Sequence, residues 1–165
     1  MARYSRMTRS WTAALLLALL FGTIGCDRAT KHWAQSTLAQ SGARSYLGNV
    51  VLLEYAENPG AFLSVGADWP PRARFFLFGA GGALLLACTG LALMSNGRSI
   101  VSIVGVTLFV SGGLSNLIDR LSRGLVIDFM NVGIGPVRTG IFNVADVAIM
   151  AGVALAAFSW VRRAE

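Results

Sequence analysis

The chain has 165 residues, of which 55% are hydrophobic and only 13% are charged, and its formal net charge is +6. Soluble domains carry charge on about a quarter of their residues, so this composition excludes an ordinary soluble protein and predicts an integral membrane protein. The positive charge does not indicate nucleic-acid binding, because the basic residues flank apolar segments and form no stripe with exposed aromatic residues. We therefore expect membrane lipids, and no nucleic acid, around this chain.

Four apolar segments are long enough to cross a bilayer core of about 30 Å, which takes roughly 17 to 25 helical residues. The predicted spans cover about 11–28, 73–94, 99–118 and 141–161. With no internal repeat, the chain is expected to form one integral membrane domain over 1–165. The predicted fold class is a membrane all-α bundle of four transmembrane helices, with a small extracytoplasmic β element between spans one and two.

The first span follows a basic segment and leads into Gly25-Cys26-Asp27. A basic start, an apolar core and a Cys also occur in cleaved lipoprotein signal peptides. Thr23 stands where such a cleavage box prefers Leu, and a mature lipoprotein has no need of three further spans, so we interpret the segment as a permanent helix. Asp27 and Lys31, acid first and four residues apart, predict that this helix continues past Cys26.

Short, almost acid-free basic segments define the cytoplasmic side under the positive-inside rule. The two longer connections, 27–72 and 119–140, hold six of the eight acids, and long loops cross the membrane largely regardless of charge. We therefore predict that both termini are cytoplasmic and that these connections lie outside. The residues that set this orientation are Arg3, Arg6, Arg9, Arg98, Arg162 and Arg163.

A short β element is predicted between the first two spans. The segment 44–66 holds strand-forming residues bounded by Gly48-Asn49 and by Asn58-Pro59-Gly60. It is too small to fold alone, so it should lie on the membrane surface and pack against the bundle. Asp68-Trp69-Pro70-Pro71 predicts an interfacial turn ahead of the second span.

Small residues in the second and third spans predict close helix contacts, because they let two backbones approach each other. These residues are Gly79, Gly81, Gly82, Ala83, Gly112 and Gly113. Neither Cys26 nor Cys88 has metal-ligand spacing, and His32, the only histidine, cannot form a site alone. We expect no disulfide framework, no metal and no cofactor.

Two acidic residues, Asp146 and Asp128, indicate a candidate site of acid–base catalysis. Asp146 lies inside the fourth apolar segment, where an ionised Asp costs roughly 2.5 to 3.5 kcal/mol on insertion scales. Asp128 lies in the short polar connection before it, between large apolar side chains that should raise its pKa. At 1.5 Å per residue Asp146 is about 7 Å from the start of its span, close enough to the outer surface to meet Asp128. Two carboxyl groups that share one proton can hydrolyse a peptide as general acid and base, without a metal.

The spacing alone leaves other interpretations open. Asp146 could cap its helix beside a surface acid, or serve a proton- or ion-conducting protein, because such pathways also use intramembrane acids. A non-catalytic scaffold is a further alternative. Asn116 and Arg120 share a helix face, and an Arg next to Asp119 at a membrane edge is typical of an anchor or an ion pair.

Four segments in order resemble the lipoprotein signal peptidases (signal peptidase II), the bacterial aspartic proteases that trim lipid-modified prolipoproteins in the cytoplasmic membrane. The segments are Asp27–Lys31, Asn58–Phe62, Gly112–Phe129 and Phe142–Asp146. In that family the catalytic aspartates belong to the motifs G-x-V-x-D-F and F-N-x-A-D. The resemblance therefore implies that Asp128 and Asp146 are catalytic.

The resemblance also implies residues that bind the substrate or support the site. By the family pattern Asn58 and Arg120 help to hold the substrate, the asparagines of spans three and four orient the pair, and the acid and lysine of span one are mainly structural. The β element and its turn would form a cradle over the site. The full set is Asn58, Gly60, Asn116, Arg120, Asn143, Asp27 and Lys31.

The implied substrate is a prolipoprotein whose Cys already carries diacylglyceryl, cut just before that Cys near the periplasmic face of the inner membrane. We also expect inhibition by cyclic peptides of the globomycin type, and a monomer. Two departures from the family stand out. Gly60-Ala61-Phe62 has one Ala where the family often has two, and Ser115 precedes Asn116 where the family often has Gly, which puts the helix packing there in question.

Overall fold

The computed structural model describes residues 2–60, 65–93 and 99–164. Three residues named in the sequence predictions, Ala61, Phe62 and Arg98, lie outside these ranges, as do residues 63–64 of the predicted β segment and residue 94 of the predicted second span. Helix positions are described, but side chains are not, for Arg3, Arg6, Arg9, Cys88 and Arg163.

The described chain contains six α-helices and four β-strands, and the strands follow one another in two pairs. In order they are α1 (Ala2–Trp33), α2 (Ala39–Ser41), β1 (Arg44–Tyr46), β2 (Val51–Asn58), α3 (Pro71–Arg74), α4 (Gly81–Leu93), α5 (Ile100–Arg123), β3 (Val126–Ile134), β4 (Val137–Arg138) and α6 (Val144–Ala164). The π-helical segments Ala34–Leu38 and Phe75–Ala80 join α1 to α2 and α3 to α4 without a break.

Three helices among the described residues are long and apolar enough to cross a membrane: Trp11–Ser41, Ile100–Arg123 and Val144–Arg162. They correspond to the first, third and fourth predicted spans. The second predicted span coincides with the unbroken helical run Pro71–Leu93, whose membrane crossing remains a prediction. The described chain is thus a helical membrane protein with a small antiparallel sheet.

The helix ends differ from the predicted limits, and two of the helical runs end at a glycine with positive φ, Gly42 and Gly124. The first helical run continues to Ser41 instead of ending near residue 28. α5 continues to Arg123, beyond 118, where Gly124 ends it in a left-handed conformation with φ 76° and donates its N–H to the Arg120 carbonyl at 3.0 Å. Glycine adopts this conformation without steric cost. α6 begins at Val144, three residues later than the apolar pattern suggests.

The sheet is larger than the segment 44–66 alone predicts. Its strand order is β1-β2-β3-β4, and β2 pairs with β3 in an antiparallel register that places Asn58 opposite Val126 and Ala56 opposite Asp128. The connection that holds Asp128 is therefore a strand, and its description as a short polar connection was wrong. Val126–Phe129 is buried throughout, so it lacks the alternation that identifies a half-buried strand.

The sheet packs against the C-terminal part of the first helical run. Phe129 of β3 lies in a buried cluster with Ala34 and Leu38, and the Trp33 ring meets the Phe129 ring edge-on at 6.4 Å between centroids. This contact fixes β3, and with it Asp128, relative to the helical bundle.

α5 and α6 approach each other through glycines. A Cβ atom on Gly112 would collide with the carbonyl oxygen of Ala145, and one on Gly105 would lie 2.8 Å from the carbonyl oxygen of Gly152. In the second predicted span the approach is looser, since a Cβ on Gly79 or Gly82 meets only leucine side chains, at 3.6 and 3.7 Å. Close helix contact therefore occurs at Gly112, as predicted, whereas Gly79 and Gly82 have only ordinary contacts.

Replacing Gly112 with Ala should destabilise the protein, because the added methyl group meets backbone that cannot rotate away. Overpacking of this kind costs about 1 to 3 kcal/mol. Thermal unfolding in detergent measures the effect, with Gly22→Ala as the control, since a Cβ at Gly22 meets nothing within 4 Å. Equal melting temperatures for the two variants would contradict the close approach of α5 and α6.

Candidate active site

Asp128 lies on β3, one of the two inner strands of the sheet, and is only 3% exposed. Because Asn58 pairs with Val126, its side chain lies on the same sheet face as Asp128, one diagonal step away. Asn58 Nδ2 donates to Asp128 Oδ2 at 2.9 Å, and Asn143 Nδ2 donates to Asp128 Oδ1 at 2.6 Å. Both carboxylate oxygens thus have an amide donor.

Asp146 lies in the first turn of α6 and forms a reciprocal cap with Asn143. The backbone N–H of Asn143 donates to Asp146 Oδ2 at 3.1 Å, and the backbone N–H of Asp146 donates to Asn143 Oδ1 at 3.0 Å. This arrangement satisfies two N–H groups that a helix start otherwise leaves without partners. Since α6 begins at Val144, Asp146 is nearer the helix end than the predicted 7 Å.

Asn143 connects the two acids. Its side-chain amide donates to Asp128 and its backbone amide donates to Asp146, so one fully buried residue contacts both carboxylates. Asp146 therefore does cap its helix, as one interpretation of the sequence proposed. The second acid of that interpretation, Asp128, is buried and does not lie on the surface. The structure brings two carboxyl groups together near the C-terminal end of α5 and the N-terminal end of α6.

Burial, and to a lesser extent the negative charge of Asp146, raise the pKa of Asp128 from 3.8 to about 6. The amide donors of Asn58 and Asn143 act in the opposite direction, because they stabilise the ionised form. Asp128 therefore keeps its proton up to about pH 6, about two pH units higher than an ordinary Asp does.

Lys31 sets the orientation of Asn116. Its Nζ donates to Asn116 Oδ1 at 2.8 Å, so the amide nitrogen of Asn116 faces the other way and donates to Asp146 Oδ1 at 2.9 Å. An ammonium group has no acceptor capacity and can contact only the oxygen of an amide. The lysine of α1 thereby orients a donor on α5 towards an acid on α6.

A buried ionic cluster surrounds Lys31, which lies 2.7 Å from Asp27 and 2.8 Å from Asp119. Arg28 contacts Asp119 at 2.5 Å. Two acids and two bases therefore balance in a site where an unpaired charge is costly. Asp119 and Arg28 were not among the predicted site residues, although Asp119, three residues after Asn116, lies on the same face of α5.

Asp27 and Ser115 join three helices. Asp27 accepts from the backbone N–H of Ala145 at 2.9 Å and from Ser115 Oγ at 2.6 Å. The hydroxyl that departs from the family's Gly is thus buried and hydrogen-bonded, and it does not prevent close packing. Asp27 was predicted to have a mainly structural role. Through these contacts it holds the start of α6, the turn that carries Asp146.

Arg120 connects α5 to the turn after β2. Its guanidinium donates to the Gly60 carbonyl at 2.9 Å and to the Asn116 carbonyl at 3.3 Å. Gly60 N–H in turn donates to Asn58 Oδ1 at 2.9 Å, a side-chain turn typical of Asn. The interpretation of Arg120 as the ion-pair partner of Asp119 is wrong, because Asp119 pairs with Lys31 and Arg28.

Two grooves reach Asp146. One, of about 430 Å³, lies between α4, α5 and α6 and is bordered by Asn116, Arg120 and Asp146 among apolar side chains. The other, of about 380 Å³, is almost wholly apolar and follows Phe142, Val147 and Met150 past the same carboxyl group. A molecule with apolar chains can therefore approach Asp146 from either side of α6.

Comparison with known proteins identifies the family. A model of the family described as Signal peptidase (SPase) II matches residues 17–162. A lipoprotein signal peptidase of Geobacter sulfurreducens is 32% identical over 151 residues, which cover 92% of this chain and 94% of that protein. One of Streptococcus pneumoniae is 30% identical over 85% of this chain and 88% of that protein.

Two solved structures, each described as a bacterial membrane enzyme, share the fold. One has a TM-score of 0.81 over 92% of this chain and 90% of that chain, and the other has 0.76 over 89% and 92%. Both are 20% identical to this chain, so they support the fold and nothing finer. The match over residues 17–162 goes further: the chain belongs to the signal peptidase II family and is a peptidase.

Proposed function

We propose that this chain removes the signal peptide from diacylglyceryl-modified prolipoproteins by cutting before the lipidated Cys, with Asp128 and Asp146 as its acid–base pair. Family membership supports the substrate class, since the relatives are lipoprotein signal peptidases. The observation that carries the chemistry is the contact of Asn143 with both carboxyl groups.

In the proposed reaction a water molecule lies between the two carboxyl groups. Ionised Asp146 takes a proton from the water as its oxygen attacks the scissile carbonyl carbon, and protonated Asp128 donates its proton to the carbonyl oxygen. The tetrahedral intermediate then collapses: the C–N bond breaks, the proton held by Asp146 passes to the leaving amine, and a hydroxyl proton of the intermediate returns to ionised Asp128, which restores the starting state of the pair. Asn116 and Asn143 hold Asp146 in position throughout, and the polar side chains Asn58 and Arg120 hold the substrate beside Gly60.

The proposed membrane placement has four spans, with Pro71–Leu93 as the second, and both termini in the cytoplasm. The active site then lies near the periplasmic face of a bacterial inner membrane. The sheet, the end of α5 and the start of α6 all meet at Asp128, whereas Arg162 lies at the opposite end of α6. Substrate lipid chains can stay in the bilayer beside the grooves while the peptide bond reaches the carboxyl groups.

The proposal also covers partners. A cyclic peptide of the globomycin type should compete with the substrate for the same groove, and the chain should act as a monomer. An ion conductor through Asp146 is the less favoured function, because the family is one of peptidases.

The substrate class is tested with purified chain in detergent and two matched precursors, one carrying diacylglyceryl on its Cys and one unmodified. We expect cleavage of the lipidated precursor only, at the bond before the Cys, as mass spectrometry of the products would show. Equal cleavage of both precursors would reject the lipid requirement, and the family's peptidase chemistry would stand without it.

The raised pKa of Asp128 predicts how cleavage depends on pH. Asp128 holds its proton below about pH 6 and loses it above that value. A doubly ionised pair cannot protonate the carbonyl oxygen, so kcat/KM should decrease as pH rises through this point, approaching about tenfold per pH unit. The measured value belongs to the pair and not to one acid. A rate that increases over the same interval would contradict the assigned direction.

A further inference from the structure

A third cavity, of about 390 Å³, shares Arg120 with the groove between α4, α5 and α6 and is not lined by either acid of the pair. It opens between the helical run that begins at Pro71 and the end of α5. Three arginines line it, Arg74, Arg120 and Arg123, and none of its described lining residues is acidic. We call this cavity the arginine pocket.

The arginine pocket contains donors that lack acceptors. Arg74 uses Nη1 to contact the Ala67 carbonyl at 3.1 Å, and Arg120 uses both terminal nitrogens on the Gly60 and Asn116 carbonyls. The Nε atom of each is buried, and neither has a hydrogen-bond partner within the part of the chain that the structure describes. A buried donor without a partner costs about 1 to 3 kcal/mol, so an acceptor bound here would relieve that cost.

Arg123 adds a third cation at the rim. Its side chain is exposed and donates a 3.3 Å hydrogen bond to the exposed Gln35. Because this hydrogen bond is open to water, exchanging it for one to a ligand costs little. Three guanidinium groups around one cavity favour a ligand with several anionic oxygens, which guanidinium groups contact in a planar, bidentate geometry.

The remaining walls are apolar, and the aromatic residues around them are of the kind found at a membrane interface. Phe75 and Phe78 line the pocket together with two prolines. Phe75 is 53% exposed, and Phe78 stacks on Trp69 at 6.0 Å between ring centroids. A half-exposed Trp ahead of an apolar helix is typical of the headgroup level of a bilayer. A suitable ligand thus has an anionic head and an apolar tail.

We propose that the arginine pocket binds the phosphate group of an anionic membrane phospholipid beside the active site. The phosphate oxygens accept from the three arginines, and the acyl chains extend along the exposed face of Phe75. Because Arg120 also contacts the Gly60 turn, a bound lipid contacts a residue that holds this turn next to Asn58.

The test measures lipid retention by native mass spectrometry of the detergent-purified chain, with phosphatidylglycerol as the anionic probe and phosphatidylcholine as the zwitterionic one. The variants are Arg123→Gln and Arg74→Gln with Arg123→Gln. Arg72→Gln is the matched control, because Arg72 is exposed on the same short helix and does not line the pocket. We expect the double variant to bind phosphatidylglycerol about tenfold more weakly and the control to bind as the unaltered chain does.

A separate arm adds inorganic phosphate at the same concentration as the lipid. The proposal predicts that phosphate without a tail does not displace phosphatidylglycerol. Displacement would overturn it in favour of a free-phosphate site, and so would equal retention by the control and Arg123→Gln. Arg123→Gln keeps the test valid if the loss of the Arg74 contact to Ala67 impairs folding. The readout is independent of proteolysis, so a failure here leaves the proposed function intact.

Discussion

Asparagine in place of either Asp128 or Asp146 should abolish cleavage of a lipidated prolipoprotein. The amide has nearly the same volume as the carboxyl group but can neither take a proton from water nor deliver one to the carbonyl oxygen. General acid–base catalysis contributes about 10² to 10⁴ in rate, so each variant should lose about a thousandfold or more in kcat. Conversion of the precursor, followed by its mobility shift on a gel, measures the loss.

The matched control for these variants is Asp68→Asn, which removes an exposed carboxylate outside the site. It should cleave at the unaltered rate. Each inactive variant must also unfold at a temperature near that of the unaltered chain, since a collapsed site would give the same loss of activity. Turnover by folded Asp128→Asn or Asp146→Asn would show that the pair is not the catalyst.

Replacing Lys31 with Met should give the largest loss of stability. Lys31 is the only lysine in the chain, it is 3% exposed, and it contacts both Asp27 and Asp119. Met matches its length but leaves a buried excess of negative charge, and breaking one side of a buried ion pair costs about 3 to 5 kcal/mol. Thermal or denaturant unfolding in detergent measures this change.

A double variant separates the charge effect from the packing effect. Asp27→Asn added to Lys31→Met removes the acid that has lost its ion-pair partner, whereas Asp119 keeps its contact with Arg28, so part of the lost stability should return. Arg72→Met serves as the exposed control and should change stability little. If Lys31→Met unfolds at the same temperature as Arg72→Met, the buried cluster is not the structural element that we describe.

Local spacing predicted the parts of the site that one helix turn determines. Asn143 and Asp146 are three residues apart, and that spacing produces the reciprocal cap at the start of α6. Asp27 and Lys31 are four residues apart on one continuous helix, and they form the ion pair that the spacing favours. Both predictions depend on geometry that repeats every turn, so the sequence is sufficient for them.

Contacts between distant segments could not be predicted in this way. Asn58 reaches Asp128 only through the register of β2 and β3, and the apolar run around Asp128 gives no alternation to indicate a strand. Asp119 pairs with Lys31 and not with adjacent Arg120 because consecutive residues on a helix point in different directions.

Ser115 shows how tertiary context alters a local expectation. The sequence put the local helix packing in question at this position, because Ser adds a side chain where the family often has Gly. In the structure the backbone approach occurs one turn earlier, at Gly112, and the Ser115 hydroxyl instead donates to Asp27 on α1. A residue that departs from the family pattern thus has a partner that only the packed bundle provides.

The central claim is that Asp128 and Asp146 together hydrolyse the peptide bond, and cleavage in the presence of a metal chelator tests it most directly. Unaltered chain and the double variant Asp128→Asn with Asp146→Asn are incubated with the diacylglyceryl-modified precursor in detergent containing chelator. We expect the unaltered chain to cut before the lipidated Cys at its normal rate and the double variant to release no product. Cleavage that stops on chelation, or that persists in the double variant, would contradict the account.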